Sequence, residues 1–474
     1  MQQGPDLSFL FNPRSVAVVG GSTGMAPYFL TDLVNKGFEG GVYSVNPNKK
    51  ELVGLKCYPT LTDIPDPVDH VIVAISAHLV PPLLMECAAK KVRACTIFSA
   101  GFSELGTEEG RRLEQEIVDI SGKNGLRIVG PNCMGIYCPS TGLHFSTDLQ
   151  EKSGSLGLIC QSGTVATYLS RAAPMRGARI NKAVSYGNAC DINESDLLEH
   201  YTQDRDIQVI AAYIEGVKDG KRFLEALKKA AGTKPTIVLK GGKTEAGIAT
   251  AASHTGALSS SIQVWNAIMR QSGAIPADHL DQLVDLSLLF LYTPTCVGRR
   301  IGMVGLGGGV SVLASDSFET YGFSFPDLSE RIKADLLKMS SAPGSIFKNP
   351  VDTAIAFRNP DAMEEVLRML DDWNEVDLLL LHHGYDIPGG GHANLSAAIG
   401  KMIEATRVIS KPAALVLYCA ADPETYEASV QDQQKGWEAG IPSFNSMESA
   451  AAALDKFVSY HQRKVRHQGL TSSE

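Results

Sequence analysis

No stretch of this chain approaches the ~20 consecutive apolar residues that a membrane-spanning helix needs. The start, MQQGPDLSFLFNPRSVAVVGG, also lacks the basic residues followed by an apolar core that direct secretion. Both absences point to a cytoplasmic protein without a membrane partner. Positive charge is not in surplus either: 43 Lys and Arg against 52 Asp and Glu leave a net charge of -9. That balance argues against nucleic acid or an anionic membrane as the main partner, while leaving room for a local basic pocket. CxxC pairs are missing. The nine cysteines (Cys57, Cys87, Cys95, Cys133, Cys138, Cys160, Cys190, Cys296 and Cys419) are odd in number and scattered, which favours reduced thiols over disulfides or zinc.

What is present is ordinary for a globular protein: 44% hydrophobic and 20% charged residues. At 474 residues the chain exceeds one core, and at ~100–200 residues per domain it should hold about three. Residues 1–149, 150–295 and 296–474 are the expected divisions. Over residues 14–150 short apolar runs (RSVAVVGG, VYSVNPN, HVIVAIS, ACTIFSAG and LRIVGPN) alternate with helix-compatible segments. Strands spaced in this way imply right-handed crossovers and a parallel, doubly wound α/β sheet. Such sheets bind ligands at the carboxyl ends of their strands. The loops there are GGSTG (Gly20–Gly24), NPNKK (Asn46–Lys50), SAGFSE (Ser99–Glu104) and GPNCMG (Gly130–Gly135). Their glycines and hydroxyls let a phosphate approach backbone N–H groups. A G-x-G-x-x-G fingerprint is absent, and Lys49 and Lys50 stand where a ribose-binding carboxylate would be wanted. The first domain reads either as a binder of a nucleotide with extra phosphate or as an empty Rossmann-like scaffold.

The second domain opens with GSLGLICQSGTVATYLSRA, a strand, a tight turn and a helix. The turn Gln161-Ser162-Gly163-Thr164 opens that helix, so it either seats an anion at the helix's amino end or simply caps it. Cys160 stands where a hydrolase elbow needs Gly, which makes Ser162 a ligand rather than a nucleophile. A helix entered at Asp191 or Asn193 follows, then the strand QVIAAYIEGV with Glu215 at its end. That carboxylate either orients an imidazole or is an exposed strand-end residue. GGKT at 241–244 is not a P-loop, because Ile237 occupies the position of the required first Gly. Beyond it lies AASHTGALSSS, where His254 sits among small residues. It is either a nucleophilic imidazole on a mobile loop or an exposed loop histidine.

The third domain repeats part of the second. GLICQSGTVAT at 157–167 aligns without gaps on GMVGLGGGVSV at 302–312, the second copy losing the hydroxyls. The strands VDLLLLHH and AALVLYCA continue another parallel sheet. His382, His383, Asp386 and His392 fit no zinc spacing, and adjacent strand residues face opposite ways, so no metal site is expected.

Six motifs in the right order carry a resemblance over nearly the whole chain: GPNCMG, CQSGT, SYGNACDINESD, YIEG, SHTGAL and FKNPVD at 347–352. Together they resemble the α subunit of the NDP-forming acyl-CoA synthetases, relatives of succinyl-CoA synthetase. The resemblance implies a Rossmann-like domain that binds coenzyme A, a flavodoxin-like domain with a phosphohistidine, and a second flavodoxin-like ligase domain. It makes His254 the phosphohistidine and Glu215 the carboxylate that steadies it. Ser162, Gly163, Thr164 and Gly256 would hold the phosphoryl group. Gly20, Ser22, Thr23, Gly24, Asn46, Pro47, Ser99, Ala100 and Asn132 would take coenzyme A. Cys160 departs from the usual Ser or Thr before the Gln-Ser-Gly turn.

The resemblance further implies a relay in which acyl-CoA and phosphate give acyl phosphate, then a phosphohistidine, then ATP from ADP. Mg-ADP or Mg-ATP would sit on a separate ATP-grasp β subunit, in an α2β2 assembly, since this chain shows no long antiparallel stretch. Two alternatives remain at this stage: a catalytically idle CoA-binding or sensing protein on the same scaffold, and a Rossmann oxidoreductase, which the missing fingerprint disfavours.

Overall fold

The computed structural model describes residues 6–20, 26–248, 250, 261–305, 308–339, 347–352, 361–384, 392–418 and 422–471. The chain divides into two compact units, the first holding residues 1–174 and 178–283, the second 175–177 and 284–474.

The first unit contains two sheets. In the first, β1 (Ser15–Gly20), β2 (Gly41–Val45), β3 (Glu51–Leu52), β4 (Leu55–Tyr58), β5 (His70–Ala74), β6 (Ala94–Ile97) and β7 (Arg127–Val129) run in the order β3-β4-β2-β1-β5-β6-β7. All its neighbours are parallel except β3 and β4, a polar hairpin that grows out of the NPNKK loop. The second sheet contains β8 (Gly135–Tyr137), β9 (Leu156–Cys160), β10 (Ile180–Ser185), β11 (Val209–Ile214), β12 (Thr236–Lys240) and β13 (Ile275–Ala277), in the order β13-β12-β11-β9-β10-β8. Its central strands are buried from end to end, as expected of parallel strands covered on both faces. The strand β8 pairs antiparallel with β10. It lies ahead of residue 150, so the segment before the composition shift already contributes to the second sheet.

Helix boundaries follow from capping chemistry. The helix Glu194–Gln203 is entered at Asn193, whose Oδ1 accepts the N–H groups of Ser195 (2.9 Å) and Asp196 (3.3 Å), while Asp196 accepts the Asn193 N–H at 3.1 Å. This reciprocal box satisfies donors that helix geometry leaves without partners. Asp191, the other candidate, is engaged instead by the Arg127 guanidinium at 2.9 and 3.0 Å. The helix Gly220–Thr233 buries Phe223, Ala226, Leu227, Ala230 and Ala231, one stripe at helical spacing.

In the second unit β14 (Ile301–Gly305), β15 (Val351–Asp352), β16 (Leu378–Gly384), β17 (Ala413–Tyr418) and β18 (Ser443–Phe444) form a parallel sheet in the order β15-β14-β16-β17-β18. The repeat seen in sequence is a repeat in structure. β9 followed by the helix Gly163–Met175 corresponds, at the same offset, to β14 followed by the helix Gly308–Glu319. Gly305 takes the place of Cys160 because a Cβ there would come within 2.8 Å of His382 Nδ1. In FKNPVD, Asn349 ties the sheet edge, donating to Ile301 O at 2.6 Å and accepting the Met303 N–H at 3.0 Å. Among the described residues no helix is long and apolar enough to cross a membrane.

Candidate active site

The loops at the carboxyl ends of the first two sheets meet around a cavity of ≈ 580 Å³. Ser99, Ala100 and Asn132 line it from the first sheet; Gln161, Ser162, Gly163, Thr164 and Glu215 line it from the second. Residues read separately as coenzyme-facing and phosphate-facing thus share one wall-to-wall space. Among the described residues that line it, none is Lys or Arg. An anion there is met by the first N–H groups of the helix Gly163–Met175, by hydroxyls and by amides. Ser162 Oγ also lies 3.4 Å from the Val165 N–H, so capping and anion seating draw on the same turn.

A strap at residues 187–192 fixes the two rims together. Asn188, Cys190 and Ile192 donate their main-chain N–H groups to Pro131, Gly130 and Ile128 at 3.0, 3.0 and 3.1 Å. Gly187 has φ +54°, and a Cβ on it would lie 2.2 Å from Pro131 O. Only glycine permits this close approach. The buried Asn188 side chain donates to Glu104 Oε2 (2.5 Å) and Glu114 Oε2 (2.9 Å).

Glu215 is held at several points. Gln161 Oε1 accepts the N–H groups of Glu215 at 2.7 Å and Gly216 at 3.0 Å. The buried Lys240 Nζ donates to Glu215 O at 2.6 Å and to Gly241 O. Burial lowers the Lys240 pKa, opposed by the Glu215 charge. The Tyr213 hydroxyl is hydrogen-bonded with the Glu215 side chain; burial first, then that carboxylate, raise the phenol well above its ordinary value. Gly241 leaves room for the pair, since a Cβ there would lie 2.5 Å from the Tyr213 hydroxyl. Cys160, the departure noted in sequence, is buried in β9, and its thiol is raised by burial and then by Glu215.

Of the other coenzyme candidates, Gly20, Asn46 and Pro47 are not among the residues that line the cavity. Asn46 donates to Gly20 O at 2.9 Å and accepts the Asn48 N–H at 2.9 Å. Gly20 has φ +101°, and a Cβ there would sit 2.2 Å from Ala74 O. Pro47 is exposed beside them. Ser99 Oγ accepts the Ile75 N–H at 3.1 Å. Asn46 and Ser99 therefore shape the loops with their side chains. His254 and Gly256, like Ser22, Thr23 and Gly24, lie outside the described residues. Gln161 opens the turn read in the sequence as an anion seat, while Asn188, Tyr213 and Lys240 were given no role there. Each acts through a fold-made contact, although Gln161 lies in CQSGT, Asn188 in SYGNACDINESD and Tyr213 in YIEG, with Lys240 at the end of PTIVLK.

In the second unit His382 and His383 are buried on β16, and burial lowers both pKa values to about 4. His382 packs against the Tyr418 ring at 5.4 Å, while His383 Nδ1 lies 2.8 Å from Gly384 O. Asp386 and the His392 side chain lie outside the described residues.

Comparison with known proteins agrees with this geometry. Residues 14–139 match the profile of a CoA binding domain, and residues 153–290 that of the succinyl-CoA ligase like flavodoxin domain. The Pyrococcus furiosus protein named acetate–CoA ligase [ADP-forming] II subunit alpha is 36% identical, across 79% of this chain and 81% of its own length. The chain belongs to the ADP-forming acyl-CoA synthetases. The Methanocaldococcus jannaschii acetate–CoA ligase [ADP-forming], a longer member of this family, is 37% identical over 73% of this chain, which spans about half (49%) of that protein. Among solved structures, the dinucleotide forming acetyl-coenzyme A synthetase 1 of Ca. Korarchaeum cryptofilum, in complex with phosphate and ADP, is 28% identical. It superposes with a TM-score of 0.82 over 97% of this chain and 99% of that one.

Proposed function

We propose that this chain is the α subunit of an ADP-forming acyl-CoA synthetase, converting acyl-CoA, phosphate and ADP reversibly into acid, CoA and ATP in the cytoplasm. The observation that carries this reading is the cavity in which Ser99, Ala100 and Asn132 face Ser162, Gly163, Thr164 and Glu215. Residues 1–149 would serve coenzyme A, 150–295 the phosphohistidine, and 296–474 the additional ligase domain.

Three transfers make up the reaction. A phosphate oxygen attacks the thioester carbonyl, the C–S bond breaks, and CoA leaves as the thiolate. A ring nitrogen of His254 then attacks phosphorus, the P–O bond to the acyl group breaks, and the carboxylate leaves. Finally a β-phosphate oxygen of ADP attacks, the N–P bond breaks, and ATP departs from a restored imidazole. Glu215 holds the N–H of the other ring nitrogen, while Ser162, Gly163, Thr164 and the Gly256 turn hold the phosphoryl group. Covalent relay splits one hard exchange into easier steps and explains a histidine on a small-residue loop, which must visit two places. Coenzyme A lies along the loops at Gly20 to Gly24, Asn46 and Pro47, Ser99 and Ala100, and Asn132.

Among the described residues no group of three or more His, Cys, Asp or Glu stands where it could hold a metal ion. The nucleotide and Mg²⁺ would be carried by an ATP-grasp β subunit in an α2β2 assembly, and the subunit name of the Pyrococcus furiosus relative supports a partner chain. The test is an assay of this chain with an ATP-grasp β subunit and a panel of acyl-CoAs. CoA release that requires both phosphate and ADP supports the reading, and retention on NAD resin instead of CoA resin contradicts it.

A further inference from the structure

Gln161 occupies the carboxyl end of β9 and is buried, only 4% exposed. Its main chain is fully engaged: the N–H donates to Tyr213 O at 3.0 Å, and the carbonyl accepts the Gly187 N–H at 3.2 Å. Its side-chain oxygen accepts two further N–H groups, from Glu215 at 2.7 Å and Gly216 at 3.0 Å. Two donors converging on one atom fix which end of the amide is oxygen. The Nε2 end, with two N–H donors, has no partner among the described residues, and Gln161 lines the cavity. Among the described residues that line the cavity none is Lys or Arg, and the donors they offer an anion are neutral. A donor that has no protein partner and faces the cavity can be taken by a ligand or water.

We propose that Gln161 is an anion-binding residue of this cavity: its Nε2 donates to an oxygen of inorganic phosphate or of the phosphoryl group of an acyl phosphate, while its Oε1 holds the Glu215–Gly216 main chain. This inference rests on the reading of the cavity as the phosphoryl site. One side chain then links occupancy of the anion seat to the placement of the carboxylate. The contact is to a charged group, and such charge-assisted bonds are stronger than neutral ones.

Two variants separate the two ends of the amide. Gln161→Glu keeps an acceptor for both main-chain N–H groups but replaces the donor by an oxygen; Gln161→Met removes both functions. Binding of inorganic phosphate to the full chain is measured by calorimetry, and thermal unfolding is followed in parallel. The Gln161 side-chain N–H resonances, assigned by their loss in Gln161→Glu, report contact in the wild type. The expected result is a saturable shift of those resonances with phosphate, and phosphate affinity about 10- to 100-fold weaker in Gln161→Glu, measured where that variant is fully folded. Gln161→Met loses phosphate affinity and unfolds at lower temperature. Resonances unmoved by bound phosphate, or equal affinity in all three proteins, overturn the role of Gln161 and leave the phosphoryl reading standing. A wild-type chain that binds no phosphate overturns both.

Discussion

The side-chain amide of Asn188 donates to Glu104 Oε2 at 2.5 Å, joining the strap after β10 to the loop after β6. The same amide reaches Glu114 Oε2 at 2.9 Å, and Lys218 stands 3.6 Å from the other Glu114 oxygen. Asn188 thus holds one rim of the cavity against the other with a neutral donor between two carboxylates. Asn188→Asp places a third carboxylate there and leaves the two acceptors without their donor. Unfolding in urea should show a loss of about 2–4 kcal/mol, against about 1–3 kcal/mol for Asn188→Ala. Equal stability of wild type and Asn188→Asp would refute this role.

Glu215→Gln keeps the shape of a side chain whose main chain is anchored independently by Gln161 and Lys240. The fold should survive, with an unchanged unfolding midpoint. Loss of an orienting carboxylate should slow phosphoryl transfer by about 10- to 100-fold. Steady-state rates with acyl-CoA, phosphate and ADP check this, and an undiminished rate would remove Glu215 from the mechanism.

Cys160→Ser restores the residue more usual before the turn, at a position buried in β9. The new hydroxyl meets an environment shaped for a thiol, so stability should fall by about 1–2 kcal/mol. Turnover should change by no more than about threefold, because the anion seat is built from backbone and the Ser162–Thr164 turn. A large change in rate with intact stability would show that Cys160 touches the reacting groups.

Glu194 is buried at the first position of its helix, and burial raises its pKa from the ordinary 4.5 to about 7. The folded chain therefore holds this proton more tightly than the unfolded one. Its contribution to stability is complete below the ordinary value and declines as pH rises toward 7, then stays level. Glu194→Gln abolishes the decline. The stability of the variant relative to wild type should rise by an amount on the order of 3 kcal/mol between acid and mildly alkaline pH. Denaturation curves across that range measure it, and a pH-independent difference would contradict it.

How far the sequence reached depends on the kind of interaction. Apolar runs such as LGLIC and VIAAYI became buried strands because a parallel sheet covered on both faces leaves them no polar side. The Ser162 turn was legible because a strand, a small-residue turn and a helix are contiguous. Asp191 and Asn193 were equivalent as caps until Arg127, 64 residues away in sequence, claimed Asp191. The contacts of Asn188 with Glu104 and Glu114 span 84 and 74 residues and leave no periodic trace. The Glu51–Leu52 strand is too short and polar to announce itself; it exists because β4 offers an edge. β8 was hidden because it is three residues long and pairs with a strand distant in sequence.

The central claim is that His254 carries the phosphoryl group between the cavity and a nucleotide. The most direct measurement incubates the purified chain and a His254→Asn variant with labelled inorganic phosphate and a panel of acyl-CoAs. The account predicts acid-labile, base-stable label on the wild type that is absent from the variant, with the most effective acyl-CoA naming the substrate. Wild-type protein that takes up no label, even with an ATP-grasp β subunit added, would contradict it.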